Sequence, residues 1–217
     1  MVGIWLLVGA FMVFVQVVIG GITRLTDSGL SMTQWEVIGG TIPPTSESEW
    51  EEAFSLYKDS PEYQKLNKGM AMSEFKFIYF WEYFHRLWAR TLGFVFILPF
   101  LYFLFRRKLN SEWIKRSLGA FALGGLAGVF GWIMVKSGLQ DKPMVSPYRL
   151  AIHLSIAITT LSYLLWNAWR LLADRDPARA ELAGFRKLTL GMTVMLCIQI
   201  LFGALVSGME SARAYPT

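Results

Sequence analysis

The sequence predicts an all-α polytopic membrane protein: a four-helix transmembrane bundle followed by a fifth span that begins an incomplete second half. Three observations predict it. The 217 residues are 54% hydrophobic and only 17% charged, with a mean hydropathy of +0.40, too apolar for a soluble domain of this length. Apolar stretches occur at 4–22, 78–105, 118–135, 150–172 and 188–206, each near the roughly 20 residues that a hydrocarbon core of about 30 Å demands of a helix. Lys and Arg concentrate in alternate connections, as the retention of cationic segments on the cytoplasmic side requires.

The first span begins almost at Met1 with no basic leader and no small-residue cleavage site, so it reads as a retained span. The loop at 23–76 carries nine acids against five bases and belongs outside, with the N-terminus inside. Within it, Pro43 and Pro44 break the chain. The segment SESEWEEAF then offers Ser46 as an N-cap with acids in the first turn, which predicts an amphipathic surface helix over 47–58. Trp35, Trp50 and Tyr57 could anchor it at the headgroups; otherwise it is a lid or packing element. Arg106, Arg107, Lys108, Lys115 and Arg116 place the second connection inside, and Arg170, Arg175, Arg179, Arg186 and Lys187 do the same for the fourth. The net charge of +5 is this inside bias, not a nucleic-acid patch. The single cysteine, Cys197, lies in the fifth span and rules out an intrachain disulfide. The chain therefore divides into a four-helix half at 1–172 and, from 185 to 217, the first span of a truncated second half.

That division rests on a weak internal repeat. QVVIGG in the first span and QILFGA in the fifth share a Q-x-x-x-G spacing, at Gln16 with Gly20 and Gln199 with Gly203. Gly131 followed by KSG resembles Gly203 followed by VSG. Small residues so spaced let helices approach closely in lipid, so simple packing also accounts for them.

Ionisable side chains within spans are costly and normally face a bundle interior. In EYFHR, Glu82 and His85 are three residues apart and share a helical face, with Arg86 and Arg90 following. His153 lies near the start of the fourth span, which enters from the same outer side as the second. The two histidines, the only two in the chain, thus sit at similar outer-half depth on helices of one bundle. They are either polar packing residues or a ligand pair. Zinc is poorly served by two ligands, whereas haem needs two axial ligands and an apolar slot. Arg149, one turn outward of His153, could meet a propionate, as could Arg24. Glu82 is open to two readings, an acid–base group or the partner of Arg86 or an outer-loop lysine.

The segments GGITRLTDSGLSMTQW (20–35), EFKFIYFWEYFHRLWAR (74–90), GWIMVKSGL (131–139) and SPYRLAIHL (146–154) closely resemble haem A synthase of the proteobacterial and mitochondrial subtype. The resemblance implies a membrane oxidoreductase of two similar four-helix halves, which oxidises the C8 methyl of haem O to a formyl group for the terminal oxidase. It implies that His85 and His153 ligate substrate haem O, that Glu82 is the catalytic acid beside them, and that a second half holds a b-type haem. The implied setting is a bacterial inner membrane or the mitochondrial inner membrane. The expected partners are haem O, the lipid bilayer, an electron donor, haem O synthase and a second copy of the chain. Two features depart from the family pattern: Ala127 stands where a glutamine is usual, and the sixth to eighth spans with their histidine pair are absent. The rival readings are a b-type cytochrome that relays electrons and a haem-free transporter whose histidines pass protons.

Overall fold

The computed structural model describes residues 1–33, 39–139, 144–173 and 183–209, the side chains of 39 and 183–186 excepted. Trp35, Arg175 and Arg179 therefore lie outside the described residues. Five of its helices are long and apolar enough to cross a membrane: α1 (Val2–Leu25), α4 (Met72–Phe105), α5 (Ser111–Gly138), α6 (Pro147–Leu172) and α7 (Ala183–Gly208). Two short helices, α2 (Glu47–Lys58) and α3 (Pro61–Lys65), and one 3₁₀ turn at Gly39–Thr41 occupy the loop between α1 and α4. The chain is an all-α polytopic membrane protein, as its hydropathy predicts. Each membrane helix extends beyond its apolar stretch, α4 by six residues at its N-terminal end, on the side of α2 and α3 that the charge bias predicts to be outer, because a helix need not stop where the hydrocarbon does.

α1 packs against α4 and α6, and α5 and α7 pack against α6. α4 and α6 therefore lie diagonally across the four-helix half, with α1 on one flank. The inner half is closed by aromatic rings. Trp5 of α1 stacks on Phe96 of α4 at 4.5 Å between centroids, and Phe96 and Phe100 meet Phe121 of α5 edge-on at 4.9 and 5.3 Å. Since lipid is as apolar as these side chains, close contact holds them together rather than exclusion from water. Polar ties lock the inner ends. Arg116 pairs with Glu112 at 2.9 Å and donates to Asn167 Oδ1 at 2.9 Å, while the Tyr163 hydroxyl donates to the Arg116 carbonyl.

At the outer end, α2 forms where its cap predicts. Ser46 Oγ accepts from the Glu49 amide, and the Glu49 carboxylate accepts from the amides of Thr45 and Ser46, which holds its pKa below the usual value. Two of its aromatic residues pack on protein, the packing-element alternative for this helix. Tyr57 is fully buried, and Trp50 packs edge-on against Phe75 and Tyr79. The outer extension of α4 gives both rings a protein surface, so α2 and α3 dock on α4.

α1 ends with Asp27 at a φ of 49°, a left-handed conformation that aspartate tolerates. The chain turns back there, and Ser28, Leu30, Ser31 and Met32 are all buried. This returning segment wedges between the outer ends of α4 and α5. Leu30 fills the space a Cβ on Gly138 would take, at 2.8 Å.

Candidate functional site

Above the aromatic floor the helices are lined with glycine where they face the two histidines. His85 projects from α4 and His153 from α6. A Cβ on Gly20 of α1 would lie 3.2 Å from His85 Nε2, and a Cβ on Gly131 of α5 would lie 3.1 Å from His153 Cε1. Each imidazole thus packs against a glycine, where an added methyl group would press on the ring. Gln16, one turn before Gly20, donates from Nε2 to the His85 carbonyl at 3.2 Å and ties α1 to α4 at this level.

His153 Nδ1 lies 2.9 Å from the Ala127 carbonyl oxygen. A carbonyl only accepts, so Nδ1 carries the proton and Nε2 keeps its lone pair. A backbone carbonyl that fixes the tautomer in this way is the usual support of a metal-ligating histidine. It also explains how alanine is accommodated at position 127, since the main chain makes the contact. Among the described residues no group of three or more His, Cys, Asp and Glu converges. Two imidazoles between glycine-lined helices suit a flat ligand held by two axial bonds rather than a tetrahedral ion.

Glu82 stands one turn outward of His85 and is buried. It forms an ion pair with Arg86, the alternative its spacing left open, and its other oxygen accepts from Ser31 Oγ at 2.7 Å and from the Met32 amide at 2.8 Å. Arg86 also donates to the Met32 carbonyl at 3.2 Å. The carboxylate thus fastens the returning segment to α4 beside the histidine.

The two expected propionate arginines do not face the imidazoles with free ends. Arg24 pairs with Asp27 at 2.9 Å and donates to the Ser207 carbonyl at the end of α7, at 2.7 Å. Arg149 is exposed and donates to the Ile133 carbonyl of α5 at 3.0 Å. What the sequence reading missed is the backing of the histidines by Gly20, Gly131 and the Ala127 carbonyl. The two glycines stood out in the repeat, but a carbonyl leaves no mark in a sequence.

A family model described as cytochrome oxidase assembly protein matches residues 3–217. The chain belongs to that family. Among its relatives it is 46% identical to a haem A synthase of Flavobacterium psychrophilum over 211 residues, 96% of this chain and 61% of the relative. It is 44% identical to a haem A synthase of Paramagnetospirillum magneticum and 43% identical to one of Nitrosospira multiformis, covering all of this chain and 62% and 61% of those relatives. The chain thus spans about three-fifths of the length of the curated relatives it matches. No solved structure matches it. In this chain the imidazole pair, the glycines that back it and the Glu82–Arg86 clamp lie in one four-helix half.

Proposed function

We propose that this chain carries the substrate-haem half of a haem A synthase, an oxidoreductase that converts the C8 methyl of haem O to a formyl group. The observation that carries the reading is the pair of imidazoles on diagonal helices, each against a glycine notch, with His153 fixed in the tautomer a ligand needs. Haem O is the substrate, and its iron would be held by His85 and His153. The haem supplies the redox centre and the methyl group. The protein's own residues fix the ring's height and tilt, through the imidazoles, and exclude water from below through the rings of Trp5, Phe96 and Phe121.

Glu82 acts in this reading chiefly through position. Its clamp on Ser31, Met32 and Arg86 holds the returning segment over the outer side of the site, with the carboxylate's charge balanced by Arg86. The electron donor and the oxygen source act from outside the described residues. α7 repeats the Q-x-x-x-G of α1, and a Cβ on Gly203 would meet nothing. We read α7 as the first helix of a second, similar half that would carry its own b-type haem. The bacterial relatives support a place in a bacterial membrane; the charge bias supports the 23–76 loop outside, and haem O synthase as the donor of substrate and self-association complete the proposal.

The purified chain in detergent, titrated with haem, is expected to give the low-spin spectrum of bis-imidazole ligation, lost in His85→Ala and in His153→Ala. A loaded chain that shows only the spectrum of free haem in detergent, with no low-spin bis-imidazole form, rules the reading out. Glu82→Gln is expected to keep that spectrum while lowering haem A formation in a full-length relative carrying the same change. Undiminished haem A formation would remove Glu82 from the reaction.

A further inference from the structure

Between the outer ends of α4 and α5 lies a cavity of about 220 Å³, lined by Met32, Arg86, Trp132, Val135, Lys136 and Leu139 among others. It opens where these two helices, in contact through rings lower down, stand apart, and the returning segment covers it through Met32. Its walls are mostly apolar, yet two cations reach it. Arg86 is neutralised by Glu82. The Lys136 ammonium rests over the Trp132 ring at 5.2 Å, and among the described residues no carboxylate pairs with it. Among the described residues, no acid lines the cavity and Lys136 is its one cation without a carboxylate partner.

Its position relates it to the imidazoles. On α5, Val135 follows Gly131, the residue against His153, by one turn, and Lys136 adjoins it. At 1.5 Å per residue Lys136 is about 7.5 Å nearer the outer face than Gly131. On α4, Arg86 is the residue after His85. The cavity thus begins about one turn outward of the level of the imidazoles; it is far too small for a macrocycle but has room for short acidic arms.

We propose that Lys136 is the cation that receives a carboxylate of the bound haem, in the place the sequence suggested for Arg24 and Arg149. The assignment rests on the haem reading of the histidine pair. Arg24 is engaged by Asp27 and by the end of α7, and Arg149 by a carbonyl of α5, whereas Lys136, itself exposed, lines the cavity with its ammonium over the Trp132 ring. A charge-assisted hydrogen bond from it is stronger than one between neutral groups. The Trp132 ring holds the cation in the cavity while leaving its N–H groups to donate, as a cation over an aromatic face does.

The test compares haemin, with free propionates, and haemin dimethyl ester, which keeps the ring and iron but lacks the acids. Both are titrated into the full chain in an uncharged detergent. The wild type is expected to bind haemin about tenfold more tightly than the ester, the effect of one charged hydrogen bond. Lys136→Met should bring the two affinities together by weakening haemin alone, and Lys136→Arg should keep most of the preference. The bis-imidazole spectrum should persist in every variant. An undiminished preference in Lys136→Met overturns the assignment while leaving the haem reading intact, and a wild type that gives no bis-imidazole spectrum overturns both. A Lys136 effect confined to retention of added phosphatidylglycerol, with the haemin preference unchanged, also overturns it and makes Lys136 a lipid-headgroup contact.

Discussion

Gly131 shows how much of this site depends on an absent atom. A methyl group there would meet His153 Cε1 at 3.1 Å, closer than side chains normally pack, and the ring would have to turn away and strain its bond to the Ala127 carbonyl. Overpacking of this kind costs about 1–3 kcal/mol, so Gly131→Ala is expected to weaken haem binding about tenfold or more while the helical circular dichroism stays unchanged. Gly128→Ala, where a Cβ meets nothing, is the control. Equal haem affinity in the two variants would mean that the notch does not position the imidazole. Glu82 teaches the complementary lesson. Its spacing from His85 and from Arg86 is plain in the sequence, but that its other oxygen is taken by Ser31 and Met32 depends on a chain reversal some fifty residues earlier, for which no local pattern exists.

At the scale of elements, the outer cap is a small soluble module built on a membrane helix. α2 and α3 enclose Phe54, Tyr57 and Phe75, and within this cluster Glu62 is buried. Burial pushes its carboxyl up to about 8 from 4.5, and the carboxylates of Glu82 and Asp27 push the same way, against a hydrogen bond from the Tyr57 hydroxyl at 3.0 Å. The Tyr57 hydroxyl, also buried and facing Glu62, is raised as well. A group whose pKa is raised on folding binds more protons folded than unfolded, so its contribution is fully present below about 4.5 and is lost as pH rises through about 8. The cap is therefore expected to become easier to unfold as pH climbs through that window. Limited proteolysis of α2 and α3, or their amide exchange corrected for intrinsic rates, reads this directly. Glu62→Gln should flatten the dependence, and an equally steep one in that variant would assign it to another group. The surface helix itself was legible down to its ends, because Ser46 and Glu49 form a reciprocal cap that depends on sequence alone. Its docking partner was not, since Trp50 and Tyr57 suit a headgroup region as well as the outer turns of α4.

For the whole molecule, the charge bias of the connections predicts the loop at 23–76 outside and the α4–α5 connection inside. In a Cys197→Ser background, Ser48→Cys is expected to react with an impermeant maleimide added to intact cells, and Lys108→Cys only after the membrane is opened. Both positions are exposed, so the reverse pattern would invert the topology and put the cavity of Lys136 on the cytoplasmic side. The sequence by itself determined the helical class, the number of spans, the bias of their connections and the two histidines. These follow from hydrocarbon thickness, helical rise and the cost of charge in lipid, which act on each segment separately. Only the tertiary structure decided which helices lie diagonally, which glycines back the imidazoles, and which cations are already engaged. Those depend on how α1, α4, α5 and α6 rotate about their own axes. In lipid, where apolar surface gains nothing by leaving the solvent, rotation is set by close contacts and hydrogen bonds between distant residues, such as Gln16 with His85 and Ala127 with His153.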